Sequence, residues 1–259
     1  MECLKVHVLY LGRIECKRSH LISCEDEEAM IKSPIVATLI QHPTLGNILY
    51  DTGNSPFYSS EYGTEMIETY PIPEFISIEA ALKSKGFTPA DIDILIISHL
   101  HFDHVGGLKY FAGTKAFKKV IVAEEDLKNA CYSVMTGNPG AYVKTLFEPQ
   151  GVQYQPINGT VQLAQDLTLF IQKSHTPGVI GMLVKTENHG TVIFTSDTIY
   201  TKDNYENELP PGGKINKTQQ EFYDNLNFIK EMKEKYQATI FFGHDYEQVV
   251  EWSNRGVID

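Results

Sequence analysis

Cysteine is scarce and basic charge is in deficit, and each shortage narrows what this chain can be. The four cysteines, Cys3, Cys16, Cys24 and Cys131, form no Cys-x-x-Cys pair, and 259 residues bury enough core to do without staples. Reduced thiols in a cytosolic protein are the expected state. Lys and Arg number 22 against 33 Asp and Glu, a formal charge of −11. Nucleic acid and anionic membrane surfaces both require a basic footprint, so neither is an expected partner. No apolar run approaches the ~20 residues of a membrane span. Glu2, Lys5 and His7 interrupt the N-terminal apolar residues where a signal peptide would carry its core, so the expected location is the cytoplasm. Repeats at solenoid periods are also missing. Against these absences, 42% hydrophobic and 21% charged residues describe an ordinary globular chain.

What is present is concentrated in one stretch. Ser98-His99-Leu100-His101-Phe102-Asp103-His104-Val105-Gly106-Gly107 places three imidazoles and a carboxylate within six positions. It follows Ile92 to Ile97, apolar apart from Asp93, which reads as a buried strand delivering a polar cluster to a loop. A set of capping histidines would repel and desolvate there without compensation. Imidazole nitrogens with a carboxylate oxygen suit zinc and its neighbours instead. Six residues cannot wrap four donors around one ion without strain, which points to two metals, each completed from elsewhere.

The remaining elements follow from local patterns. Leu4 to Leu11 alternates as a first strand, and Arg13 to Ser33, with its acidic run, reads as a surface loop. Pro34 to Gln41 and Asn47 to Asp51 make a hairpin. Asn54 to Phe75 is long, irregular and aromatic. Its rings either pin a loop to the core or, through Phe57, Tyr58 and Tyr62, wall an active site as a lid. Ser77 caps a short helix stopped by Gly86, Thr88-Pro89 with Asp91 forms a capped turn, and Gly106-Gly107 lets the backbone turn tightly behind His104. Val120 to Val122 is a strand and Glu124 to Met135 a helix. Further on, Leu167 to Ile171, Met182 to Lys185 and Thr191 to Thr195 are strands, the last two joined by a hairpin at Glu187-Asn188-His189-Gly190. Thr218-Gln219-Gln220-Glu221 opens a helix as a capping box, and Ala238 to Phe242 is a last buried strand. Three more donors stand at strand ends, namely His175, Asp197 and His244.

The motif His-x-His-x-Asp-His, together with these later donors, resembles the metallo-β-lactamase fold superfamily from Asp51 to Asp245. The resemblance implies an α/β protein, a four-layered αβ/βα sandwich, with residues 1–259 as a single metallo-hydrolase domain. The hairpins and the scarcity of regular βαβ units weigh against a three-layer sheet. Carried over by position, His99, His101 and His175 would hold one metal, Asp103, His104 and His244 the other, and Asp197 would bridge them. Asp51, in Asp51-Thr52-Gly53, either caps its turn or accepts a hydrogen bond from a ligand histidine, as its counterpart in the superfamily does. One departure is His175-Thr176-Pro177-Gly178-Val179, where many members have a second histidine in place of Val179 and a glycine before the ligand. His7, His20, His42 and His189 do not fit the pattern and read as surface or structural residues.

Within that superfamily, residues 98–104, 196–208 and 241–248 look like the N-acyl-homoserine lactonase family. Tyr200, three residues past Asp197, matches its active-site tyrosine and would donate a hydrogen bond to the carbonyl or the leaving group. The implied reaction is opening of a lactone ring by a hydroxide between two divalent ions, zinc by default, with iron, manganese or cobalt allowed by the same donors. Asp103 would pass the proton to the departing alkoxide. The small-molecule lactone would be the partner, and a homodimer is implied by the family. The alternative is another small lactone, ester or thioester on the same centre. A glyoxalase-II-type thioesterase usually adds a helical domain for which the fifteen residues after His244 are too few. A non-catalytic scaffold would have little reason to keep every ligand.

Overall fold

Alternation of side chains along the strands decides which layer each residue joins. The computed structural model describes residues 4–26, 28–212 and 219–259. Seven strands build a first sheet: β1 (Lys5–Lys17), β2 (Met30–His42), β3 (Gly46–Tyr50), β4 (Glu74–Phe75), β5 (Ile94–Ile96), β6 (Val120–Ala123) and β7 (Tyr154–Ile157), in the order β4-β1-β2-β3-β5-β6-β7. Five build a second: β8 (Val161–Ala164), β9 (Leu167–Gln172), β10 (Val179–Lys185), β11 (Thr191–Phe194) and β12 (Thr239–Phe241), in the order β12-β11-β10-β9-β8. Hairpin neighbours pair antiparallel, while β3, β5, β6 and β7 run parallel, as do β11 and β12.

Successive residues of one strand point to opposite faces. Ile40, Ile48 and Ile96 therefore meet Leu169, Met182 and Phe194 between the sheets. Their neighbours Leu39, Leu49 and Leu95 face outward into a layer with Leu108, Phe111 and Phe147. Beyond the second sheet, Phe170, Leu183 and Ile193 pack against Phe222, Leu226 and Ile229 of the helix Gln219–Tyr236. Helices, sheet, sheet and helices give the expected four layers, and each such fully buried large side chain contributes roughly 1.5–3 kcal/mol.

Several boundaries differ from the pattern reading. Most of Arg13 to Ser33 is ordered structure, since β1 continues to Lys17, Arg18–Leu21 is a helical turn and β2 begins at Met30. Ile14 and Cys16 alternate inward there, a signal masked by the intervening charges. Asn54 to Phe75 carries two short helices, Tyr58–Glu61 and Thr64–Thr69. The glycines after His104 do not make a tight turn; both are helical, and a Cβ on either would collide with backbone of the Thr52–Ser55 segment. The helix Tyr246–Asn254 has no counterpart in the pattern reading, although Asp245 caps it by accepting from Gln248 N at 3.1 Å. Its Val249 and Trp252 complete the core between the sheets. Thr218 of the expected capping box lies outside the described residues.

Candidate metal centre

The polar cluster forms where both sheets present strand ends along one edge. β5 leads into His99 and His101, followed by the turn Phe102–Val105 that carries Asp103 and His104. His175 lies between β9 and β10, Asp197 follows β11, and His244 follows β12. Three non-glycine residues here hold left-handed backbone, namely Asp51 (φ 63°), His175 (φ 69°) and Ser196 (φ 48°). Such conformations cost of order 1–3 kcal/mol each and persist where surrounding contacts over-determine them.

All seven predicted donors converge. His175 Nε2 lies 3.0 Å from His99 Nε2 and 2.8 Å from His101 Nδ1. These three form a first group, and Asp103, His104 and His244 form a second, each able to surround one ion. Asp197 spans both with separate oxygens. Its Oδ1 is 3.0 Å from His244 Nε2 and 3.1 Å from His104 Nε2, whereas Oδ2 is 3.4 Å from His175 Nε2 and 3.8 Å from His99 Nε2.

Outer contacts set the tautomers. His104 Nδ1 donates to Asp51 Oδ2 at 2.8 Å, and Asp51 also accepts from Ser98 N at 2.7 Å and Ser98 Oγ at 2.8 Å. Thr52 grips the other end of His104 by donating N–H and O–H to its carbonyl at 2.7 and 2.9 Å. His244 Nδ1 donates to Pro34 O at 3.1 Å, with Ser33 Oγ 2.8 Å away. Both imidazoles therefore turn Nε2 toward Asp197. The buried His104 Nε2 has no partner of hydrogen-bonding geometry yet faces a carboxylate oxygen. A cation or a proton must separate two electron-rich atoms placed so closely in a dry site. Nitrogen and carboxylate donors at this density fit a pair of divalent transition ions.

Charge divides the two groups. Burial holds His99 and His101 well below the usual imidazole range and His175 down to about 4, with neighbouring imidazoles adding to the effect. His104 and His244 are held above it, because Asp197, Asp103 and, for His104, Asp51 outweigh the burial that opposes charge. Burial raises Asp103, with Asp197 adding to it. Asp197 stays far below the carboxylate range, since His104, His244 and His99 overcome its burial.

Tyr200 stands at the same edge, its hydroxyl 2.6 Å from His175 Nδ1. Burial, with Asp197 beside it, pushes this phenol well above its ordinary value, so it is an O–H donor at neutral pH. The three wall candidates separate. Phe57 is 58% exposed, Tyr58 is half-buried against Phe75, and Tyr62 is a core residue. The Tyr62 hydroxyl accepts from Ser55 N at 3.0 Å and reaches Asn54 Oδ1 at 3.0 Å and Phe102 O at 3.1 Å, so it anchors the segment instead of lining a cleft. His7, His42 and His189 are structural: His7 meets Gln41, His42 meets Asp166 and His189 meets Trp252 edge-on.

The profile of the metallo-beta-lactamase superfamily matches residues 31–244. The chain belongs to that superfamily. Among metallo-beta-lactamase relatives, an N-acyl homoserine lactonase from Bacillus sp is 31% identical over 260 residues, covering 96% of each chain, and one from Bacillus cereus is 30% identical over 261 residues with the same coverage. A solved N-acyl homoserine lactone hydrolase, with the product N-hexanoyl-L-homoserine bound at its catalytic metal centre, superimposes with a TM-score of 0.83 at 29% identity over 97% of both chains.

One site residue escapes the sequence reading altogether. Asp126, on the helix Glu124–Met135, is fully buried beneath His99 to His101, and burial pushes its carboxyl up to about 6. The signal was spacing: Asp126 and Ala130 share the buried face at i and i+4, hidden within the acidic run Glu124-Glu125-Asp126.

Proposed function

We propose that the chain is a single-domain, metal-dependent hydrolase that opens the lactone ring of N-acyl-homoserine lactones, the quorum-quenching reaction. The observation that carries this reading is the span of Asp197, one oxygen turned to each group of ligands. His99, His101 and His175 would hold one divalent ion, Asp103, His104 and His244 the other, and zinc suits this donor set best. Such a pair supplies Lewis acidity to a carbonyl and makes hydroxide available near neutral pH.

The chain's own groups do the rest. Asp51 fixes the His104 tautomer through the bond to Nδ1. Tyr200, protonated and next to His175, donates its O–H to an oxygen that gains charge as the ring opens. Asp103 takes the proton of the hydroxyl newly added to the carbonyl and delivers it to the departing alkoxide, leaving a carboxylate and an alcohol. Phe57 and Tyr58 offer apolar surface to the acyl tail, in keeping with an uncharged substrate. Relatives that carry the lactonase name support the substrate class. Cytoplasmic location and a homodimer complete the proposal; no described helix is long and apolar enough to cross a membrane.

The test is acid release by purified, zinc-loaded protein offered homoserine lactones, other lactones, esters and thioesters. Preference for N-acyl-homoserine lactones is the expected result. Turnover of thioesters or unrelated esters with no lactone opening would replace this reading with the alternative hydrolase.

A further inference from the structure

Asp126 is a fully buried carboxylate that the reaction above does not use. Its oxygens leave their own helix. Oδ2 accepts from Leu100 N at 2.8 Å, the one residue between His99 and His101. Oδ1 accepts from the Tyr142 hydroxyl at 2.7 Å, and the Tyr142 ring stands edge-on against His101 with centroids 4.6 Å apart. Thr176, next to His175, lies beside Asp126 and holds its carboxyl down against the effect of burial. Gly178 lets that turn approach the helix start, since a Cβ there would lie 2.8 Å from Ala123 Cβ and 3.2 Å from Asp126 N. The loop of His99 and His101 is thus bound to this side chain, and the turn that follows His175 packs against the same residue. The second group is held by other residues, namely Asp51, Ser33 and Pro34, while Ser98 Oγ reaches both groups, 3.1 Å from His99 Nδ1 and 3.3 Å from His104 Nδ1.

We propose that Asp126 is a positioning residue for one metal only, the ion of His99, His101 and His175. It acts through hydrogen bonds from Leu100 N and the Tyr142 hydroxyl and through its packing against the Thr176–Gly178 turn, without touching the ion. A carboxylate serving only the core would affect both ions alike, or neither. Outer partners of metal ligands typically govern affinity by about 10–100-fold, and His175 has left-handed backbone (φ 69°) that its neighbours must maintain.

The proposal rests on the two-metal reading, and the experiment separates the two. Zinc is titrated against a competing chelator, with bound zinc counted per chain. Wild-type protein that binds no zinc overturns both ideas. If the wild type binds two, Asp126→Ala is expected to weaken one ion by about 10–100-fold and leave the other unchanged. Asp126→Asn, which keeps an oxygen for Leu100 N, should restore most of the loss, and Tyr142→Phe should weaken the same ion by a smaller factor. These two carry the test if Asp126→Ala fails to fold. Assignment comes from double variants: Asp126→Ala should add nothing to His175→Ala but weaken the remaining ion of His244→Ala by the same factor. Equal weakening of both ions, or of neither, would refute the positioning role.

Discussion

The two ligand groups sit side by side yet are built differently. The second is braced by Asp51, a residue on a strand end whose carboxylate reaches His104 directly at 2.8 Å. The first is braced by Asp126, which reaches no ligand and works on the backbone and rings around them. Direct support fixes a tautomer, and indirect support fixes a loop. Charge separates them further: burial lowers the imidazoles of the first group, while nearby carboxylates raise those of the second.

That contrast can be broken at several points. Asp197→Ala removes the one carboxylate common to both groups, so zinc counts should fall for both ions together, and lactone turnover should drop by more than the ~10–100-fold that an outer partner costs. Loss of a single ion would show that the groups do not share it. Asp51→Ala should weaken the second ion by about 10–100-fold and the first by less, since Ser98 links Asp51 to His99 Nδ1, both read by zinc titration; equal weakening of the two ions would erase the division of labour.

Acidity sharpens the comparison. An imidazole raised above its usual value is protonated below that raised value, and metal must displace the proton. His104 and His244 are raised, so affinity at the second group should fall as pH falls, with protons expelled on binding. His175, lowered to about 4, is already neutral near pH 7 and should release almost none. Calorimetry in buffers of different ionisation heat measures the difference, and equal proton release by both ions would contradict it.

Smaller effects are expected at the aromatic segment. Tyr62→Phe leaves Ser55 N without its acceptor and should cost about 1–3 kcal/mol of stability in denaturant unfolding. Phe57→Ala should leave stability almost unchanged and shift acyl-chain preference, with little effect on a short lactone. Equal losses on long and short substrates would remove Phe57 from the wall.

Legibility followed how local each feature is. The histidine-rich loop was readable because its donors are crowded into six positions, and His175, Asp197 and His244 because each stands where an apolar run ends. The sheets were readable from period-two alternation, as at Leu39 and Ile40, which separate into different layers. Asp126 was not, since an acidic run ordinarily means a solvated face and only the tertiary fold turns one of its three carboxylates inward. Tyr62 misled in the same way: an aromatic in a loop with Gly and Ser neighbours suggests a wall, whereas its hydroxyl binds three core groups. Cys16 and Ile14 lay hidden because strand β1 carries charge between its inward residues.

The ligands come from both sheets, His99 to His104 after a strand of the first and His175, Asp197 and His244 at the ends of strands in the second. Ions shared this way would act as a rivet through the sandwich, beside a protein clasp already there, in which Ile180 N donates to Ser98 O at 2.8 Å and the Tyr50 hydroxyl to Ile180 O at 2.5 Å. Chelation would leave that clasp and the bond from His244 Nδ1 to Pro34 O along this edge, so the hydrolytic centre is also a seam whose closure tells whether the C-terminal half has joined the N-terminal one.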